Sequence, residues 1–512
     1  MARYHRAIGD HVYFVSGSDC HGTPVAIRAK QENRTPQEVS DFYHKEFTEC
    51  FEKLGFSYDV YTKTSSDEHK DFVQEFHRKL YESPYVYEKE LPQAYCENCD
   101  TFLADRFVLG KCPKCGKDTR GDQCDACGTV LEPEALIEPI CAVCGKPISF
   151  KKSKHLYIAI SKLQTELKSF VDNHPKWRKN AIAFTNKYID EGLRDRALTR
   201  DLEWGIQVPK DGYENKTIYI WAENVLGYLS ASKVAAEARN ADFLELWGKD
   251  AKHYYVHGKD NIPFHTIILP SLLLANGDGW HLPDQIVSSE YLTLEGRKIS
   301  TSQNYAIWVK ELLDHYEADS IRYFFIANGP EKKDADFSWQ EYVHSHNGEL
   351  LGAYGNFVNR SLAFITKYCD GIVPNGIDHP DIKKQIDELF VSAGGQIENG
   401  AFKDAISEIF DFVRSANKFF DTEQPWITRN TDKTACDNTL YQCVQIIANL
   451  AVLLSPFLPF SSGKVINWLN LNNQWERQSV SAGYQLPEVE ILFQRIDKKI
   501  IEIETEKLKS IL

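Results

Sequence analysis

Three things are scarce in this 512-residue chain. Methionine occurs once, at Met1, where average usage would give roughly ten, and nothing in the sequence accounts for it. A run of about 20 apolar residues, the length a membrane helix needs, is missing too. The most apolar stretch, residues 446–460, is shorter and carries Pro456 and Pro459. It reads as a buried helix and its exit, and no membrane partner is expected. Positive charge is in deficit as well: 59 Lys and Arg against 73 Asp and Glu give a net charge of −14. Phosphate affinity comes from Lys and Arg, so general nucleic-acid binding is disfavoured and any RNA contact must be local. Lys151-Lys152 and Lys383-Lys384 are only modest basic clusters. Residues 1–6 hold two Arg and no apolar segment, unlike a secretory signal. Thirteen cysteines without such a signal argue for a reducing, cytoplasmic setting, and for metal ligands or free thiols over a disulfide framework.

What is present suggests two to four domains. Residues 12–18 (VYFVSGS) form an apolar run ending at a polar, Gly-containing turn, the pattern of a strand leaving an α/β sheet. Helical patterns follow over 36–80. Residues 85–155 turn rich in Cys, Gly and Pro and lose periodicity, so they read as an inserted module, with helical sequence resuming at Leu156. A second α/β block covers 216–304: strands at 217–221 (TIYIW) and 254–257, helices at 225–235 and 264–274. Strands and helices alternating on both sides of an insertion predict one interrupted parallel sheet. From Asp314 the pattern is helical, as at 349–368, 382–399, 402–420 and 436–454. Spacings such as Ile406, Ile409, Phe410 and Val413 predict a helix bundle. A charged amphipathic helix over 496–512 closes the chain.

Four C-x-x-C pairs stand in the insertion: Cys96/Cys99, Cys112/Cys115, Cys124/Cys127 and Cys141/Cys144. Zinc takes four thiolates in a tetrahedron, and each tight C-x-x-C turn supplies two. Two structural zinc ions are therefore expected. Proximity in sequence groups Cys112, Cys115, Cys124 and Cys127 on one, leaving Cys96, Cys99, Cys141 and Cys144 for the other. Gly116, Gly128 and Gly145 follow second cysteines, where backbone must fold back. Such closed sites give structure, not chemistry. Cys20, Cys50, Cys369, Cys436 and Cys443 are scattered and read as packing residues.

The segment 292–302 (LTLEGRKISTS) is a Gly-containing loop with Arg297, Lys298 and several hydroxyls, able to close on a triphosphate. Its KISTS resembles the KMSKS loop of class I aminoacyl-tRNA synthetases. The stretch 258–265 (GKDNIPFH) resembles the GKDxxxFH segment of methionyl-tRNA synthetases. The same family is resembled, in order, by 19–24 (DCHGTP), 199–205 (TRDLEWG), 220–228 (IWAENVLGY) and Gln424-Pro425-Trp426. The cysteine module sits where that family carries its zinc insertion. Taken singly, Trp221 and Tyr228 could be core aromatics, Asp19 a helix cap and His265 a satisfied buried histidine. The ordered set favours function.

The resemblance implies a class I Rossmann-like parallel sheet split by a zinc-binding insertion, then an all-α anticodon-binding helix bundle. Its expected limits are 1–84 and 156–313 for the catalytic domain, 85–155 for the insertion, 314–345 for a stem-contact linker and 346–512 for the bundle. It implies a ligase that joins methionine to ATP, with Mg, and passes it to initiator and elongator methionine tRNA. Lys298 would face the charge on departing pyrophosphate and Arg200 would brace substrate near the reacting phosphate. Gly258, Asp260, Ser300, Thr301 and Ser302 would serve ATP; Asp19 would meet the amino acid's ammonium; and Trp221, Tyr228, Phe264 and His265 would hold its side chain, since a thioether favours aromatic contact. Asn356 and Arg360, four apart on one helix face, and Pro425 with Trp426 would read the anticodon, Trp426 by stacking.

Two departures from the family pattern are expected to matter. Residues 1–6 resemble the helix after the family's HIGH motif, so the HIGH-bearing segment would be missing and activity lost. Thr301 replaces the usual second lysine of the loop, leaving one cation fewer. No barrel-type appendage is seen, so a monomer is the default. The rival readings are another class I synthetase, for isoleucine, valine, leucine or cysteine, and an inactive, zinc-stabilised RNA-binding or interaction protein derived from a synthetase.

Overall fold

The computed structural model describes residues 1–103, 107–121, 124, 127, 131–300 and 304–510. The chain forms two compact units. One comprises Val15–Thr48 and Tyr58–Val287; the other comprises Met1–Phe14, Glu49–Ser57 and Ser288–Leu512.

In the first unit, strand Val15–Ser18 lies parallel to Val60–Lys63, in register from Val15↔Val60 to Ser18↔Lys63. The expectation of helical patterns throughout 36–80 is corrected here. A strand separates helix Pro36–Lys53 from helix Asp67–Leu80. Four residues (VYTK) are too few to register against long helical flanks. The second helix is well specified by its own ends: the Ser66 side chain accepts from His69 N–H, Asp67 and Glu68 fill the first turn, and His77, Arg78 and Lys79 the last.

The insertion is also more regular than its sequence suggests. Val86–Cys96 and Ser149–Ile158 form a long antiparallel ribbon, in register from Val86↔Ile158 to Tyr95↔Ser149. Cross-strand pairs Lys154–Glu88, at 2.6 Å, and Lys152–Glu90, at 2.9 Å, line it. Exposed charge along both strands hides the apolar alternation that would announce a sheet. Helical sequence does not resume at Leu156. The ribbon runs to Ile158, and helices Gln164–Asp172 and Lys179–Asp190 follow. At the ribbon's tip Val108–Lys111 pairs antiparallel with both Asp118–Arg120 and Ile137–Cys141.

The second α/β block shortens one expected strand. Only Thr217–Ile218 are extended, and Ile220–Glu223 already turn helical. Tyr254–Gly258 pairs with Gln285–Ser289. The helix expected over 264–274 opens with a π-turn, Phe264–Ile268, before continuing as Leu269–Asn276. Leu80, Leu226, Leu229, Leu269, Leu272 and Ile286 form the heart of this unit's core.

The other unit is built on helices Asn356–Tyr368, Pro380–Glu398, Phe402–Glu423, Lys433–Leu454 and Pro459–Trp468. From Gln442 to Leu454 every residue of the fourth is buried, as expected of a helix surrounded by others. Its polar side chains are spent on backbone. Gln445 exchanges hydrogen bonds with Val480 N–H and C=O, and Asn449 does the same with Gln478. Buried amides so paired cost little. Short strands Leu292–Leu294, Arg297–Lys298 and Ala335–Phe337 form a small sheet in this unit. No described helix is long and apolar enough to cross a membrane.

Gly17 is a position where only hydrogen fits. A Cβ there would stand 2.9 Å from the Thr62 carbonyl oxygen of the paired strand. Gly17→Ala is expected to lower unfolding stability by about 1–3 kcal/mol, measured by urea denaturation followed by circular dichroism.

Candidate functional site

The turn after strand Val15–Ser18 is fixed from several sides. Cys20 N–H donates to Thr64 Oγ1 at 2.9 Å, and Trp204 Nε1 donates to the Cys20 carbonyl at 2.8 Å. His21 sits edge-on to Trp204, ring centroids 5.0 Å apart. Its Nδ1 lies 2.8 and 3.0 Å from the two carboxylate oxygens of Glu223, and both residues are buried. Burial raises the pKa of Glu223 and the His21 contact opposes that rise. This pair ties the DCHGTP turn to the IWAENVLGY segment. Asp19, beside it, is exposed as a residue although its carboxylate is largely desolvated. Loss of hydration raises its pKa, opposed by a hydrogen bond from Asn224 Nδ2 at 3.1 Å and by His21.

Aromatic rings gather along the same segment. Trp221 stands edge-on to Phe264, centroids 5.1 Å apart. The Tyr228 hydroxyl lies 2.8 Å from His265 Nε2, and His265 Nδ1 lies 2.8 Å from the Asn261 carbonyl. A carbonyl can only accept, so Nδ1 carries the proton, Nε2 accepts, and Tyr228 donates. His257 stacks on His265 with centroids 4.2 Å apart and planes 12° from parallel. Burial, reinforced by His257, drives the His265 pKa down to about 3, so the ring stays neutral. Burial, with Asp19 and Tyr58 nearby, lifts Tyr228 to about 12. The structure thus brings Asp19, Trp221, Tyr228, Phe264 and His265 into one unit, linked through residues 220–228 and 261–265.

Gly258 ends strand Tyr254–Gly258, and Asp260 lies in the following turn, Lys259–Asn261. Arg200 lays its guanidinium on the Tyr219 ring at 3.8 Å and donates to the Thr199 carbonyl at 3.0 Å. The next residue, Asp201, is held by Ser153 Oγ at 2.7 Å, by Lys216 Nζ and by His155. Desolvation would raise its pKa, but these donors prevail and hold it at about 2.

The eight insertion cysteines gather in two sets: Cys96, Cys99, Cys141 and Cys144, and Cys112, Cys115, Cys124 and Cys127. Within each set the sulfur atoms all lie within 4.8 Å of one another. A tetrahedral thiolate site with Zn–S of about 2.3 Å needs sulfurs about 3.8 Å apart. The Cys112–Cys127 and Cys115–Cys124 distances are 3.8 and 3.6 Å. Matching turns present two of the pairs. Gly116 N–H donates to Cys112 C=O and Gly145 N–H to Cys141 C=O, both at 2.8 Å, with positive φ at both glycines. Both sets fit a metal.

In the other unit, Lys298 is exposed in strand Arg297–Lys298, paired antiparallel to Thr293. Ser300 exchanges backbone hydrogen bonds with Tyr305. Thr301 and Ser302 lie outside the described residues. On the bundle, Arg360 and Trp426 meet at one ring. The Arg360 guanidinium lies 4.3 Å from the Phe420 centroid, and the Trp426 ring lies 5.9 Å from it. Arg360 is also paired to Asp421 at 2.7 Å and donates to the Asn417 carbonyl at 2.8 Å. Gln424 takes a left-handed conformation, buried Pro425 starts the next helix, and Trp426 is 42% exposed. Asn356 is exposed at the start of the helix bearing Arg360.

A split α/β unit, a hairpin of Leu292–Leu294 with Arg297–Lys298, and a helix bundle are the parts of a class I aminoacyl-tRNA synthetase. The family described as "tRNA synthetases class I (M)" matches residues 1–362, and "Anticodon binding domain of methionyl tRNA ligase" matches 375–510. Methionine--tRNA ligase 1 of Alkaliphilus oremlandii is 51% identical over 99% of this chain and 94% of its own length. The Bacillus mycoides methionine--tRNA ligase is 52% identical over the same shares. The chain belongs to the methionyl-tRNA synthetase family, which sets aside the reading as another class I synthetase. The Mycobacterium tuberculosis methionyl-tRNA synthetase bound by methionyl-adenylate shares the fold, with TM-score 0.79 and 22% identity over 96% of this chain and 94% of that one. The expected loss of a HIGH-bearing segment is not borne out by these matches, which run over nearly the whole of both chains.

Sequence reading passed over His21, Glu223, Asn224 and His257. Each stands inside or beside a recognised motif, yet motif letters do not show which neighbour a side chain meets across about 200 residues of chain. Asp201→Ala is expected to cost about 3–5 kcal/mol in thermal unfolding, because it strands the Lys216 ammonium. Adding Lys216→Met is expected to recover part of that loss.

Proposed function

We propose that the ring cluster around Tyr228 and His265 is the methionine pocket of a methionine–tRNA ligase, and that Asp19 anchors the substrate ammonium. The observation that carries this is the fixed neutral His265, turned by Asn261 so that the Tyr228 hydroxyl is its donor. A neutral, aromatic wall suits a polarizable thioether, while the Asp19 carboxylate beside it suits an ammonium. Activation is in-line attack of the methionine carboxylate on the ATP α-phosphate, giving methionyl-adenylate and pyrophosphate. It needs positioning and charge stabilisation more than proton transfer. We assign the adenosine ribose to Gly258 and Asp260, the reacting phosphate to Arg200, and the Mg-bound pyrophosphate to Lys298 with Ser300, Thr301 and Ser302. Methionine then passes to the tRNA 3′ end. Trp426 offers its open face to an anticodon base, Pro425 sets its approach, and Asn356 with Arg360 supplies polar contacts to base edges. The two cysteine sets hold zinc as structural ions; four thiolates leave no open position for substrate.

Methionine-dependent ATP–pyrophosphate exchange tests this reading. Lys298→Ala is expected to lower it about 100-fold or more, the effect of losing one charge-stabilising donor. Exchange driven equally by leucine would overturn the pocket assignment. Zinc content by atomic emission is expected to fall from two ions per chain to one in Cys112→Ser, and likewise in Cys141→Ser.

A further inference from the structure

Several cations of the helical bundle are spent on carboxylates. Arg360 gives its guanidinium to Asp421 and the Asn417 carbonyl, and Arg414, Lys433 and Arg477 pair with Glu349, Asp437 and Asp387. Lys367 and Arg429 differ. Among the described residues neither makes an ion pair, and both converge on one exposed tyrosine. The Arg429 guanidinium lies over the Tyr368 ring, 4.1 Å from its centroid, and Lys367 Nζ lies 5.1 Å from the same point. The two cations draw the Tyr368 phenol below its ordinary pKa, Lys367 first and Arg429 second. The acidic neighbours are engaged elsewhere or stand apart. Asp432 accepts from Ala435 N–H at the head of the next helix, and Asp437 takes Lys433. Asp370 is exposed and, among the described residues, pairs with neither cation.

The cluster adjoins the Pro425–Trp426 corner. Tyr368 ends the helix that carries Asn356 and Arg360, and Phe364 supports its ring, centroids 4.6 Å apart. Arg429 stands three residues after Trp426 in helix Pro425–Thr431. That spacing puts both on one side of the helix, about 4.5 Å apart along its axis. A guanidinium lying over a ring keeps its N–H fork, whereas one paired to a carboxylate has spent it. Arg429 Nε is closed off from water, so its two Nη groups are the donors left. A planar fork with an ammonium beside it suits a phosphate.

We infer that Lys367 and Arg429, positioned by Tyr368, form a phosphate clamp that grips the tRNA backbone beside the anticodon base received by Trp426, without reading sequence. The inference rests on the reading of Trp426 as the anticodon-stacking face. A chain of net charge −14 repels a polyanion as a whole, so backbone contact falls where cations are left unneutralised. An acidic protein segment would meet the same two charges. The exposed indole three residues away favours a nucleic-acid strand, because single strands are held by stacking platforms alternating with cations.

The test is equilibrium binding of a methionine tRNA transcript to the full chain, by fluorescence anisotropy from about 50 to 200 mM KCl. A transcript with its anticodon bases replaced is run beside it. Thermal melts establish that each variant is folded, with Arg429→Met and Lys367→Met used if the glutamine variants are not. Arg429→Gln and Lys367→Gln are each expected to weaken binding about 10-fold. Each is also expected to flatten the slope of log affinity against log salt by about 0.7, the share of one single-strand phosphate, and to do so equally for both transcripts. Arg429→Lys is expected to keep the slope and lose part of the affinity, because the charge stays and the fork goes. Trp426→Ala is expected to weaken binding with the slope unchanged. If Arg429→Gln and Lys367→Gln leave affinity and slope as they were while Trp426→Ala weakens binding, the clamp is overturned and the anticodon reading stands. Should Trp426→Ala bind normally, that reading falls and the placing of the clamp falls with it. Weakening by the two glutamine variants confined to the native anticodon would make these residues readers of bases and also overturn the clamp.

Discussion

The pairing of His21 with Glu223 is the constraint on which the proposed amino-acid site depends. These residues lie about 200 positions apart, on opposite sides of the inserted module, and both are buried. A carboxylate taken from water needs a partner there, and both its oxygens meet the imidazole of the DCHGTP turn. That requirement sets Asp19 beside Asn224 and fixes where residues 221–228 can lie. Breaking either side would leave a stranded polar group in the core, so the geometry is enforced by the cost of its alternatives.

Around that pair the unit uses polar groups economically. His265 receives one hydrogen bond and gives one, which leaves it neutral and its tautomer decided. Asp201 collects Ser153, Lys216 and His155 and so braces the short strand that carries Arg200. In the bundle, Gln445 and Asn449 treat an irregular segment as if it were a neighbouring strand. Each case places a buried polar residue against backbone or charge, and each thereby sets the position of something functional or of the chain's path.

Much of this was legible beforehand, and for definable reasons. The bundle helices showed themselves because Ile406, Ile409, Phe410 and Val413 repeat at helical spacing and are all buried. The cysteine sets were legible because C-x-x-C spacing and sequence proximity leave few ways to close a tetrahedron. The proposed pocket residues came through family motifs, not through periodicity. Strand Val60–Lys63 was hidden by its brevity, and the ribbon Val86–Cys96 with Ser149–Ile158 by the charged residues that decorate both its strands. The π-turn at Phe264–Ile268 has no sequence signature, since the apolar residues there suit several helical registers. Glu223 and Asn224 were spelled out in a recognised motif, but their partners are tertiary.

The single methionine gives the interior a particular character. Its cores are filled by branched aliphatic and aromatic side chains, with Met1 only packed against the bundle's flank. Thioethers are the flexible fillers of most protein interiors and convert to polar sulfoxides under oxidants. A protein so built has stiffer internal packing, and peroxide finds almost no sulfide inside it to attack.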